Sequence, residues 1–408
     1  MSNIIIPFRA NLLESSVSPI DTTFKMTVDT TQSGVTNNQS FILPLQNGVT
    51  NVTVNWGDGT SNLITAYNQA ELLHGYSSSG TYQITLDGSF SGIRFANGGD
   101  KLKLSSIDNW GNNQWLKFDS SFHGCTNMVA NYIDNPDTTL VTNMSRSFFG
   151  CTNFNGAVEF DTSNVTNLFY MMYNCSTFNQ PINWNTSNVN SSQSFGHTFD
   201  GCTVLNSSFN LTDTSNAKGF SFMFYRCISF NQPINFNVTS GTDLGGMFHT
   251  CDVFNQEITF NAPLVTNMSS MFQGCDVFDS PINITTSTSL TKMPYMMKVC
   301  FAFNSAITIS NTSSVTNMVS MFQQCTVFDQ DISALQINAL TNASNMMLLS
   351  GFTKTNYDLL LLAWDAYGTS NVPFHAGTAQ YAAATSPPAT ARALMVGRGW
   401  TITDGGPI

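Results

Sequence analysis

This 408-residue chain is short of charge: only 10% of its residues are Asp, Glu, Lys or Arg, against about 25% in an average soluble protein. Bases are scarcest, 14 against 25 acids, for a net charge of −11. No basic patch is available to offset phosphate charge, so a nucleic-acid partner is not expected. Long apolar runs are missing too. None approaches the ~18 residues that a membrane-spanning helix requires, so no membrane insertion is expected. Of the five histidines (His74, His123, His197, His249 and His375), none stands in an HExxH-type metal motif. Close Cys/His clusters, GxSxG, GxxxxGK and the dinucleotide-binding glycine fingerprint are absent as well. The expectation is therefore no catalytic residue, no metal site and no cofactor.

What is present is 42% hydrophobic residues, enough for a large core. Solubility falls to Asn, Ser and Thr. The length suits two or three domains. Nine cysteines act as a ruler: Cys125, Cys151, Cys175, Cys202, Cys227, Cys251, Cys275, Cys300 and Cys325. Eight gaps cover 200 residues, a mean period of 25, and a fixed period of this size signals a solenoid.

The neighbours keep the same period. Phe or Met stands three residues before each cysteine (Phe148, Phe224, Phe272), and an apolar group, usually Phe, three after it (Phe154, Phe230, Phe278). Apolar residues recur seven and nine positions after the cysteine, as in Ile182 and Trp184 or Ile258 and Phe260, with a polar residue between. That alternation predicts one short strand per repeat. Upstream, Met268, Met271, Phe272 and Cys275 are spaced as one helix face behind a Thr-Asn cap, which predicts a two-turn helix. One strand and one short helix per 25 residues predict a right-handed solenoid of leucine-rich-repeat type with nine to ten coils.

A metal site needs clustered ligands, and each cysteine is alone in its repeat. Disulfides between coils meet unfavourable spacing, with stacked Cβ atoms about 4.8 Å apart, and nine leaves one thiol over. A ladder of buried thiols acting as small hydrophobes is the expected arrangement. It also argues against a Cys/His dyad at His123 or His249, which requires an exposed thiol.

Four segments are expected: an arm (1–20), a β-sandwich (21–105), the solenoid with its N-terminal cap (106–350) and a C-terminal cap (351–408). The arm has neither the basic segment nor the cleavage site of an export signal. In the second segment, Val52–Trp56 and Tyr82–Leu86 alternate around turn signals. Asn55-Trp56-Gly57-Asp58-Gly59, His74-Gly75-Tyr76 and Gly80-Thr81-Tyr82 resemble the PKD-type immunoglobulin-like domain, a spacer or adhesion module. Asp58 reads either as a calcium ligand or, more simply, as an Asp-Gly turn. In the last segment, helical runs are expected around 357–364 and 389–396.

The repeat, as in Met223-Phe224-Tyr225-Arg226-Cys227 followed by Phe230-Asn231-Gln232-Pro233-Ile234, resembles the BspA-like leucine-rich repeats. Trp400-Thr401-Ile402-Thr403-Asp404-Gly405-Gly406 is similar to the terminal segment of those surface proteins. The repeat around 189–220 departs from the pattern, with Val189-Asn190-Ser191 in place of V-T-N-M. The resemblance implies adhesion or recognition, not catalysis. Two settings are expected: a phage virion surface component (head or tail fibre, or capsid decoration) docked on other virion proteins through its N-terminal region, or a bacterial cell-surface adhesin. The partner is a host-surface protein or glycan. The expected contact row is the outward strand face, Asn183, Asn235, Thr259, Asn283 and Thr308. A carboxylate pair acting on glycans, such as Asp329 and Asp331, is the enzymatic alternative; a solvated face accounts better for them.

Overall fold

A computed structural model describes residues 21–408; the expected arm, 1–20, lies outside the described residues. The chain is mainly β. Its first part holds β1 (Phe24–Asp29), β2 (Ser40–Ile42), β3 (Thr50–Asn55), β4 (Ser61–Ile64), β5 (Leu73–Gly75), β6 (Thr81–Phe90) and β7 (Leu104–Asn109). Strand alternation buries Phe24, Met26 and Val28 on β1 and Val52 and Val54 on β3. These strands form a sheet in the order β4-β3-β6-β1-β7, and β2 pairs with β5 separately. Its last member is β8 (Val129–Ala130), which belongs to the first coil and lies parallel to β7. The sheet and the solenoid are thus continuous, and β7 straddles the boundary expected between 105 and 106.

In the solenoid, β9 (Ile182–Trp184) pairs in parallel with β10 (Phe209–Leu211), and β11 (Ile258–Asn261), β12 (Ile282–Thr285) and β13 (Ile307–Ile309) form a parallel sheet. Each begins seven residues after a cysteine. The registers Ile258↔Ile282↔Ile307 and Thr259↔Asn283↔Thr308 stack like on like.

The two-turn helix expected upstream of each cysteine does not form. Met268 to Cys275 is a chain of turns with Ser270 (φ 54°) and Gly274 (φ 72°) in the left-handed region. The N–H groups of Met268, Ser270, Phe272 and Gly274 donate to Lys292, Pro294, Met296 and Lys298 of the next coil. Those of Met271, Gln273 and Cys275 close three-residue turns onto their own coil. Helical apolar spacing survives because the turns also advance three to four residues per cycle. Half of the N–H groups are diverted into coil-to-coil bonding, which no isolated helix offers. The pair of left-handed residues recurs in ten coils, from Ser120 and Gly124 to Asn345 and Leu349. The tenth has Ser350 in the cysteine's place. Two more rungs, β14 (Pro373–His375) and β15 (Thr401–Thr403), continue the stack in parallel, giving about twelve turns.

The repeated residues are accounted for by coil-to-coil bonds. The V-T-N threonines stack, Thr266 Oγ1 on the Thr242 carbonyl and Thr291 Oγ1 on that of Thr266. The following Asn makes an Asx turn: Asn267 Oδ1 accepts the Ser269 N–H at 3.0 Å. The Asn after the second Phe caps the next coil, as Asn231 Oδ1 accepts the Asn255 N–H and Asn255 Oδ1 the Asp279 N–H. The two phenylalanines stack within a coil (Phe248–Phe254, 4.3 Å) and along the axis (Phe248–Phe272, 5.5 Å).

At the far end, α1 (Lys354–Asp365) and α2 (Pro387–Gly397) contain the two expected helical runs. Ser386 caps α2 and Pro387 opens it. Trp364, Phe374 and Trp400 pack together over the last coils, closing an otherwise apolar cross-section.

Candidate binding faces

The thiols face inward. All nine are buried and unbridged, and from Cys151 onward each Sγ donates to the carbonyl of the Phe or Met three residues before the preceding cysteine. Burial pushes every thiol pKa up, that of Cys325 to about 12. Asp329 and Asp331 do not form a carboxylate pair turned to a ligand. Asp329 Oδ1 accepts from the N–H of Thr353 and the amide of Asn356, and Asp331 Oδ1 accepts the Ser333 N–H. Among the described residues no three His, Cys, Asp or Glu side chains form a metal-binding group. No helix described is long and apolar enough to cross a membrane.

The residues of the β-sheet motif converge. Trp56 stacks on His74 at 4.6 Å, Tyr76 stacks on Tyr82 at 3.8 Å, and the Tyr76 hydroxyl donates to the Trp56 carbonyl. Asp58 sits at their edge with both oxygens engaged, by Thr60 and by His74 Nε2. Burial opposes its ionisation, yet these hydrogen bonds hold its carboxyl down to about 2.

The outward strand row is not one uniform surface. Asn183 is tied to its neighbour, its Oδ1 accepting from Asn210 Nδ2 at 2.8 Å. The ladder then opens, since 234–236 pairs with neither β10 nor β11. This follows Phe209, which stands where the other strands carry Ile and packs its ring against Phe224, Phe230 and Phe236 at 5.3–5.9 Å. The opening is a cleft of about 550 Å³ lined by Asn235, Thr259, Gln256 and Glu257 over Ile234 and Phe236. Glu257 Oε1 accepts from Thr259 Oγ1 at 3.3 Å. Asn283 and Thr308 stand in register with Thr259. Thr308 lines a second, smaller cleft of about 260 Å³ with Gln330 and Asp331, where the ladder ends beyond β13. The structure thus brings Asn235 and Thr259 together and leaves Asn183 and Thr308 at separate places.

The sequence reading missed the turn face. Five residues before the cysteine stand Arg146, Tyr170, His197 and Phe222 in successive coils, and two before it Phe149, Tyr173, Asp200 and Tyr225. All but Arg146, which is exposed, and Asp200, which is buried, are partly buried. The signal lay in the same periodicity, at columns left unread because they are not uniformly apolar.

A search of curated proteins found no match. The profile of a family described as "Mycoplasma protein of unknown function, DUF285" matches residues 116–210, 193–296 and 242–364. These overlapping matches fall on the coils that carry the cysteine, phenylalanine and asparagine ladders and together run over more than half of the chain. The chain, a solenoid that fits a BspA-like repeat protein, belongs to the DUF285 family.

Proposed function

We propose that this chain is a non-enzymatic adhesion protein that recognises a glycan on a host surface through the strand face of its solenoid. The observation that carries this reading is the cleft at Asn235, Gln256, Glu257 and Thr259. It offers amide, carboxylate and hydroxyl groups above the Phe236 ring, and it lies where strand pairing lapses and leaves room. A few convergent polar groups over an apolar floor is the usual composition of a small-ligand site. The inward thiols and the engaged carboxylates support a binding role over a catalytic one. The N-terminal sheet is a PKD-like spacer in this reading, supported by the convergence of Trp56, His74, Tyr76 and Tyr82.

The setting we favour is a virion surface, with the N-terminal region docked on other virion proteins; a stiff, weakly charged solenoid on a β spacer suits a displayed fibre. The second reading is a bacterial cell-surface adhesin; the family description supports it only in naming a bacterial genus. Binding of the Asn235→Ala/Gln256→Ala variant to a glycan array tests the function. Loss of a signal given by the parent protein, with thermal stability kept, supports it; an unchanged profile sinks it. Antibody labelling of purified particles and of cell envelopes separates the two settings.

A further inference from the structure

The turn face carries a second set of groups, independent of the strand-face cleft. Along the column five residues before the cysteine, the Arg146 guanidinium lies 5.5 Å from the Tyr170 ring. Tyr170 stacks on His197 at 4.6 Å, and His197 on Phe222 at 5.0 Å. The Phe222 ring covers Gly246, where an added Cβ would come within 2.3 Å of it. Beside this column Phe149 stacks on Tyr173 at 4.3 Å, and the Arg226 guanidinium lies 4.9 Å from Tyr225. Buried Asp200 ties the columns together, accepting from Arg226 and bonding His197 Nδ1, each at 2.8 Å.

The fold does not require these groups. In the five later coils the same column holds Gly246, Ser270, Tyr295, Ser320 and Asn345, four of them without a ring or charge, and the left-handed turn recurs at each. Charge is also segregated. Between residues 110 and 350 all six bases (Lys117, Arg146, Lys218, Arg226, Lys292 and Lys298) fall within the nine residues before a cysteine, against 3 of the 14 acids (Asp119, Asp200 and Asp243). In a chain this acidic, the turn face is where positive charge collects. The field is felt at His123, whose pKa is lowered by burial and then by Arg146, Lys101 and Arg94.

Rings stacked along the axis turn their edges outward, and aromatic edges carry partial positive charge. Arg226 Nε and His249 Nδ1, both buried beside Tyr225, have no hydrogen-bond partner among the described residues. Arg146 and Arg226 stand three coils apart, roughly 14 Å along the axis at ~4.8 Å per coil. We propose that this strip binds an acidic polysaccharide lying along the solenoid axis, its carboxylate or sulfate groups held by Arg146 and Arg226 and its hydroxyls by the flanking ring and imidazole groups. A flat strip with recurring cations suits a linear polymer with recurring anions better than a compact ligand, which needs a cavity.

Titration calorimetry of the full chain tests this with polygalacturonate, heparin, neutral dextran and poly-glutamate, at about 50 and 200 mM salt. Binding of polygalacturonate or heparin, weakened by salt and absent for dextran, is expected. Arg146 is exposed, so Arg146→Gln leaves the fold intact; it should weaken binding about tenfold, as loss of a charge-assisted contact does. The Asn235→Ala/Gln256→Ala variant should bind these polymers unchanged, which separates this site from the cleft. No binding of either acidic polysaccharide at low salt overturns the proposal, as does binding indifferent to Arg146→Gln. Poly-glutamate bound as tightly as the polysaccharides overturns it in favour of an acidic protein partner.

Discussion

The thiol of Cys300 donates to the carbonyl oxygen of Phe272 at 3.0 Å, and that oxygen already accepts the Cys275 N–H at 3.0 Å. A buried carbonyl with two lone pairs is thereby satisfied twice, once by its own turn and once by the next coil. Cysteine suits this position because it is small, apolar and still a weak donor. Native protein should therefore resist Ellman's reagent at all nine thiols, and the unfolded chain should titrate nine. Rapid labelling of several thiols in the folded protein would show that the ladder is open. Cys275→Ala should cost about 1–2 kcal/mol, one lost bond plus a small cavity, read from the urea midpoint.

The same burial makes the fold sensitive to alkali. Folded thiol pKa values lie above the usual 9.0, that of Cys325 at about 12. A raised acid pKa means that the stabilisation is fully present below pH 9 and is lost as pH rises towards the folded value, because only the unfolded chain then releases the protons. Each thiol contributes a slope on the order of 1 kcal/mol per pH unit in that window. Chemical denaturation at pH 8 and pH 10 should show a steep fall in stability. A Cys275→Ala/Cys300→Ala variant should fall less steeply. Equal slopes would mean that the thiols ionise in place.

The period, the strands and the shared core were legible because they are written in residue types that only burial explains: Phe248, Cys251, Phe254, Ile258 and Phe260 all lie in the core. The turn chain at Met268–Cys275 was not legible, since its apolar spacing coincides with that of a helix and the deciding bonds go to Lys292–Lys298 in another coil. The cleft at Asn235 was not legible either. Asn235 and Asn283 occupy equivalent positions in the repeat, and only the packing of Phe209 against the next coil distinguishes their surroundings. The turn-face residues were visible as a column, but stacking of Tyr170, His197 and Phe222 follows only from the pitch of the coils.

Two kinds of asparagine can be told apart by mutation. Asn255 Oδ1 takes the Asp279 N–H and the Ser280 hydroxyl of the next coil, so it joins coils. Asn255→Ala should destabilise by about 1 kcal/mol, the value of a typical satisfied bond, and leave any glycan binding intact. Asn235→Ala should do the reverse, within about 0.5 kcal/mol in stability as for an ordinary surface change, with weakened binding. Equal destabilisation by both would mean that Asn235 is only another rung.

A buried ion pair holds the 34–42 segment against the turn that leads into β7. Lys103 and Asp100 are both fully buried, with Nζ 3.8 Å from Asp100 Oδ1. Lys103 Nζ also donates to the carbonyls of Thr36, Asn37 and Ser40 and to the Thr36 hydroxyl. Asp100 accepts the N–H groups of Thr36 and Ile42. Gly34 passes so close that a Cβ there would meet Asp100 Oδ1 at 2.2 Å. Burial drives the Lys103 pKa down against the pull of Asp100. The pair therefore pins the 34–42 segment to the strand that enters the first coil. Lys103→Met leaves Asp100 buried without its cation and should cost about 3–5 kcal/mol. The double variant Lys103→Met/Asp100→Asn should recover part of that loss. Differential scanning calorimetry of the three proteins checks this. If the single variant melts like the parent, the pair is not what holds the segment, and the backbone bonds of β2 to β5 carry it alone.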